Sequence, residues 1–238
     1  MSSLQIRVHN LQMSIFTPEM LFNKNGILAM MIEKFSEVFN GDVVSIPIPD
    51  DAPDEIPRII LNSKDATVKC EIAKSRFNIY CSPGDDLYID SQIEGFLDFC
   101  YKIIEAYVKF TKAVIGRLAI VINKYIDQAN PQSTLADHFC RDRWLGEAFA
   151  NLSAFEIHAL KKYNLDEFAV NSWVRCKSGT LEIKKKDIRL DIIHIIQDIN
   201  TLAEELKIKR YTMEDVKKFI SIVSSEHISI LEKYFPEE

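Results

Sequence analysis

Glycine is scarce in this chain, with seven among 238 residues. That leaves little material for a phosphate-cradling loop, and no P-loop, dinucleotide-binding glycine fingerprint or G-x-S-x-G elbow is present. Cysteine is equally unhelpful to chemistry. Cys70, Cys81, Cys100, Cys140 and Cys176 are odd in number, form no C-x-x-C pair and each sit inside an apolar-periodic segment. Free buried thiols in a reducing cytosol are the expectation, not a disulfide framework. Long apolar runs are missing too. The longest, Ile188 to Ile199, is interrupted by Arg189, Asp191, His194, Gln197 and Asp198, whereas a membrane span needs roughly 20 apolar residues. The opening MSSLQIRVHN lacks the apolar core of a signal peptide, so a cytoplasmic location away from any membrane is expected. No excess of positive charge exists: the formal net charge is -6, which speaks against indiscriminate attraction to nucleic acid or anionic lipid.

What is present is a globular composition, 47% hydrophobic and 27% charged, with length enough to bury a proper core. Charge is uneven along it. Residues 1–112 carry 11 basic and 16 acidic side chains, and residues 113–238 carry 18 and 19. The second half is the better host for an anionic ligand.

Periodicity gives the elements. Ile6 and Val8, then Leu11, Met13 and Ile15, alternate in two runs offset by one residue, which predicts a strand bulged near Asn10. Leu28, Met31, Ile32, Phe35 and Phe39 mark a helix ending at Asn40-Gly41, where Gly is expected in the left-handed conformation. Val44, Ile46 and Ile48 alternate as a strand, followed by the acidic, proline-rich loop PIPDDAPDEIP. Strands are expected at 58–62, 67–74 and 77–81. A long helix then starts at a capping box of Ser91 and Glu94. The second half predicts a strand over 114–126, a helix over 135–145, strands over 154–163, 167–177 and 181–197 with a turn inside the last, and a closing helix capped by Thr212 and Asp215.

The order is roughly β-α-β-β-β-α twice, with 1–112 as the first half and 113–238 as the second. The fold class is therefore α+β: a mostly antiparallel sheet of two pseudo-repeats, with the long helices packed on one face. Its topology is similar to that of the duplicated fold of the TATA-binding protein. Three segments, GRLAIVINKYID, DIIHIIQDIN and FISIVSSEHISILEKYF, resemble a sporadically distributed prokaryotic family of uncharacterised function. That resemblance implies a shared fold and patchy occurrence, as in mobile or antiviral-defence gene sets, and carries over no catalytic residue.

Candidate chemistry is sparse. Glu182 and Lys184 alternate on a strand and share a face, as the carboxylate and ammonium of metal-dependent nucleases do, with Asp166 as the nearest upstream acid. A hairpin tip accounts equally for Lys184, Lys185 and Lys186. Asp137, His138 and Cys140 are close in sequence, but on a helix His138 and Cys140 point about 200° apart, unlike zinc ligands. His227 falls on the apolar stripe of the last helix, as a core-edge histidine does. Arg141-Asp142-Arg143-Trp144 offers a cation-plus-aromatic clamp or an ordinary helix face.

One constellation differs. Alternation directs Phe155, Ile157, Val170, Val174, Cys176, Leu190 and Ile192 to the core. The opposite face receives Arg117, Tyr125, Glu156, His158, Asn171, Trp173, Arg175, Arg189 and Asp191. Aromatics and arginines together are the composition of recognition surfaces. The chain is expected to be a non-enzymatic binding or adaptor protein in a larger assembly, with Trp173, Arg175, His158, Arg189 and Arg117 as binding residues and no metal or cofactor. A protein partner or a second copy is expected ahead of nucleic acid. The alternative is a metal-dependent nuclease or other hydrolase using Glu182 and Lys184.

Overall fold

A computed structural model describes residues 5–18, 22–49, 51–82, 90–141, 146, 151–183 and 188–236. The elements in chain order are β1 (Ile6–Phe16), α1 (Lys24–Phe35), β2 (Val43–Ser45), β3 (Ile59–Asn62), β4 (Val68–Ile72), β5 (Arg76–Cys81) and α2 (Asp90–Thr111). Then follow β6 (Arg117–Asp127), α3 (Pro131–Phe139), β7 (Glu156–Leu165), β8 (Phe168–Ile183), β9 (Ile188–Thr201) and α4 (Met213–Tyr234). The chain is α+β, and all nine strands form one antiparallel sheet in the order β2-β3-β4-β5-β1-β6-β9-β8-β7. On each side of the β1–β6 junction, the first strand of a half lies beside the last strand of the same half.

Alternation decides which side of the sheet is packed. Leu11, Met13 and Ile15 of β1 pair directly with Ile122, Ile120 and Leu118 of β6, and all six are buried. Cys70 and Ile72 of β4, Phe77 and Ile79 of β5, and Val170 and Ile199 of β8 and β9 extend the same layer. Onto it pack Ile27, Met30 and Met31 of α1, the stripe Ile93, Phe96, Leu97, Cys100, Ile103, Ile104 and Tyr107 of α2, and Val216, Phe219 and Val223 of α4. A second cluster places Leu135 of α3 against Val174, Cys176, Ile193 and Ile195. The four helices thus share one face of the sheet. Cys70, Cys100 and Cys176 are buried free thiols, and Cys81 and Cys140 are half-buried ones.

Local signals explain several boundaries. The β1–β6 register shifts between Val8 and Asn10, at the expected bulge. Thr212 and Asp215 form the expected capping box, each satisfying a backbone N–H of the other. The helix-start signal at Ser91 lies outside the described side chains. Elsewhere the expectations need correction. α1 ends at Phe35, and turns carry the chain on to Gly41. No described glycine has a positive φ. Gly41 is required instead by close approach, since a Cβ there would lie 2.7 Å from the backbone of Ser63. The segment expected as one strand with an inner turn is split between the end of β8 and β9. α3 runs Pro131–Phe139 rather than over 135–145, and Asp142, Arg143 and Trp144 of the proposed clamp lie outside the described residues.

Gly116 is the tightest point of the α2–β6 connection. Its N–H donates to the Phe16 carbonyl at 2.9 Å, and a Cβ would stand 2.0 Å from the Leu206 carbonyl oxygen. No rotamer relieves a clash with backbone. Gly116→Ala is expected to lower stability by about 2 kcal/mol or more, read as a shift of the urea midpoint at unchanged m-value. An unshifted midpoint would show that the 203–206 turn moves aside freely.

Candidate binding face on the open side of the sheet

Directly paired residues share a face, so the register traces the second side of the sheet strand by strand. From β7 to β3, one row reads Leu160, Trp173, Asp198, Val121, Gln12, Tyr80, Lys69 and Asn62. A neighbouring row reads Lys162, Asn171, Asn200, Ala119, Ser14, Asn78, Glu71 and Ile60. No described helix packs on these rows. Strand parity therefore places Trp173, Arg175, His158, Arg117, Tyr125, Glu156 and Asn171 together on the open face.

Arg189 is the exception among the expected binding residues. It pairs with Glu182, and Asp191 pairs with Thr180, both on the helix-side parity of β8. Leu190 and Ile192, expected in the core, stand opposite Leu181 and Gly179 on the open side. The run Ile192-Ile193 and Ile195-Ile196 offers apolar residues to both faces, so alternation could not fix the phase of β9.

The open face is built from layered planar groups. The Arg175 guanidinium lies 5.2 Å from the Trp173 ring centre, and that of Arg117 lies 4.7 Å from Phe16. Arg117 also donates to the Thr201 carbonyl at 2.9 Å and to Asn200 Oδ1 at 2.6 Å. Asn200 Nδ2 donates in turn to Asp198 at 2.8 Å. At the other end of the row, Lys69 pairs with Glu71 at 2.5 Å, and Tyr80 Oη donates to Glu71 at 3.0 Å. His158 bonds Glu156 at 2.6 Å. Of the seven covered side-chain polar atoms without a partner among the described residues, four lie on this face, Arg76 Nε, Asn171 Oδ1, Arg175 Nε and His194 Nε2, and three lie elsewhere, on Glu205 and His227.

Charge on this face runs against the chain as a whole. Register places Arg7, Lys69, Arg76, Arg117, Lys162, Arg175 and Lys177 there, opposed by Glu71, Asp127, Glu156 and Asp198.

Sequence alternation missed His9 and His194. The bulge brings the His9 ring to 6.3 Å from Tyr125 and 6.4 Å from His194. The bulge at Asn10 was the available signal, because it re-aims the residue beside it. Burial lowers the affinity of His9 for a proton. His194 is held down to about 4, first by burial and then by the neighbouring Lys177 ammonium and the His9 imidazole.

The alternative sites do not assemble. Asp166 sits in the β7–β8 turn, ion-paired with Lys218 at 2.7 Å. Glu182 is near the far end of β8, on the order of 45 Å of strand away. Lys184 lies outside the described residues. His138 Nε2 meets the Tyr234 carbonyl at 2.6 Å, and its ring stacks 5.2 Å from Phe235, so it ties α3 to the end of α4. Among the described residues, no group of three or more His, Cys, Asp or Glu is placed to hold a metal ion. No helix there is long and apolar enough to cross a membrane. No protein-family model matches the chain, and no curated protein does.

His194 sets a pH dependence. An unfolded chain protonates His194 near 6.5, while the folded face resists until about 4. Its neutral ring therefore contributes stability in full above about pH 6.5, and that contribution disappears as pH falls toward 4. Urea midpoints measured from pH 7 to pH 4 should fall less steeply in His194→Asn than in the wild type. Parallel curves would mean that the imidazole titrates as freely folded as unfolded.

Proposed function

We propose that the chain is a non-enzymatic binding protein, an adaptor that holds an acidic protein partner on the open face of its sheet. The observation that supports this best is the Trp173–Arg175 stack on β8, one strand in from the sheet edge, on a helix-free face with a cationic surplus, in a chain of net charge -6. A flat indole backed by a guanidinium presents apolar area without side-chain ordering cost, and Trp and Arg dominate measured binding energies. Arg175 and Lys177 point a cationic row toward the partner, which speeds encounter and gives binding a salt dependence. Catalysis has less support, because Asp166 and Glu182 stand at opposite ends of one strand.

Affinity capture from the native cell, quantified by mass spectrometry, tests the proposal. Trp173→Ala and Arg175→Ala should each keep the melting temperature within a few degrees and weaken partner capture by about 2 kcal/mol, roughly 30-fold. Capture should also fall as salt rises. A strong loss of thermal stability in Trp173→Ala with capture unchanged would make Trp173 a packing residue and remove the site. Cleavage of DNA or RNA with Mg²⁺ that vanishes in Glu182→Gln would establish the hydrolase instead.

A further inference from the structure

β7 is the last strand of the sheet, and among the described residues nothing pairs with its outer edge. Ten residues long, it is a far better template for strand addition than the three-residue β2 at the opposite edge. Leu160 at its middle is 43% exposed, which natural edge strands ordinarily avoid. Two lysines, Lys161 and Lys162, follow it, and lysine on an edge usually blocks pairing. Here they need not. Lys161 folds back over its own Tyr163 ring at 4.6 Å, and Lys162, an exposed side chain that reaches Glu204 at 3.2 Å within the chain, has a second carboxylate of matching position in its own strand, the exposed Glu156.

We infer that β7 pairs with β7 of a second copy, antiparallel about a two-fold axis at Ala159. Only residues whose numbers sum to 318 then stand opposite each other. Glu156 faces Lys162 of the second copy, and Lys162 faces its Glu156, so the strand carries its own complementary charges twice over. Leu160 is covered by the second copy's His158, and Ala159, the smallest side chain of the strand, meets itself at the axis. Neighbouring registers lose this match: a sum of 320 sets Lys162 against His158, and a sum of 322 sets Lys161 against Lys161. Directly opposed cross-strand charges of unlike sign stabilise a pair, and like charges destabilise it. The pairing is isologous and closes on itself, so it yields a dimer and not a fibre. It rests on the β7 edge alone and stands whether or not Trp173 binds a partner.

Mass in solution tests it, by sedimentation over a concentration series because a strand-edge contact is small. The wild type should approach twice its 27.4 kDa. Glu156→Lys and Lys162→Glu should each return the monomer, since each sets like charges opposite one another. The double variant should recover the dimer, because both signs are exchanged together. Ala159→Cys should cross-link to itself under mild oxidation, while Leu160→Cys, displaced from the axis, should not. Circular dichroism melts of every variant establish that it is folded. A monomeric wild type at all concentrations overturns the inference. So does a dimer insensitive to both charge reversals, a folded double variant that stays monomeric, or a dimer in which Ala159→Cys fails to cross-link. Recovery of a different protein's extended segment on this edge, with no self-association, overturns it equally.

Discussion

The β1–β6 ladder is the constraint on which the rest of the molecule depends. It joins strands about a hundred residues apart in sequence, and without it the sheet would fall into two pieces with two new edges. Its inner pairs, Leu11–Ile122, Met13–Ile120 and Ile15–Leu118, lie at the centre of the apolar layer and receive α2 and α4 from above. Each such side chain is worth about 1.5–3 kcal/mol of transfer free energy when fully buried. The ladder can form only after a long loop has closed, so that burial must offset a substantial entropy of closure. Separating the halves would expose both ladder edges and leave β1 and β6 each paired on one side only.

Because the helices occupy one face only, the other must be compatible with water while remaining sheet. It meets that demand by lateral shielding. Ser14 and Asn78, which bond each other at 2.8 Å, are nearly inaccessible although no helix covers them. Longer neighbours bond laterally among these small residues, Gln12 Nε2 donating to Ser14 Oγ at 2.9 Å and Tyr80 Oη to Glu71 at 3.0 Å. Stacking arginine on Trp173 and Phe16 hides aromatic surface in the same way. The product is an amide-rich face with more cationic than anionic side chains.

How far the sequence foretold this depends on strand composition. β8 was legible because Val170, Val174 and Cys176 alternate strictly with Asn171, Trp173 and Arg175, leaving a single phase consistent with a one-sided sheet. β9 was not, because isoleucine occupies both phases at 192–193 and 195–196. The residues that fix its phase, Gln197 and Thr201, are polar yet face the helices. Arg189 was misplaced for that reason alone. The bulge at Asn10 was legible from the offset of two alternating runs, but its consequence, the approach of His9 to His194, requires the β6–β9 pairing, which no local pattern encodes. The end of α1 failed differently. Asn-Gly reads as a helix stop, whereas Gly41 answers to the backbone of Ser63 some twenty residues on.

The polar members of the core carry a last step of the argument. Lys124 is 1% exposed, and its ammonium donates to Gln197 Oε1 at 2.6 Å. Gln197 Nε2 donates onward to the backbone carbonyl of His227 in α4 at 2.9 Å. Apolar contacts between a helix and a sheet are non-directional, and α4 could slide along the isoleucines of β9 at little cost. A bond from a side chain rooted in β9 to one particular carbonyl of α4 removes that freedom, because a displaced helix would leave the buried amide unpaired at a cost of about 1–3 kcal/mol. His227, buried beside this chain with both ring nitrogens unpartnered, is held neutral by burial and by the Lys124 ammonium. Stability is thus given up locally, and what it secures is a single placement of the last helix over the strands that carry Trp173 and Arg175 on their other side.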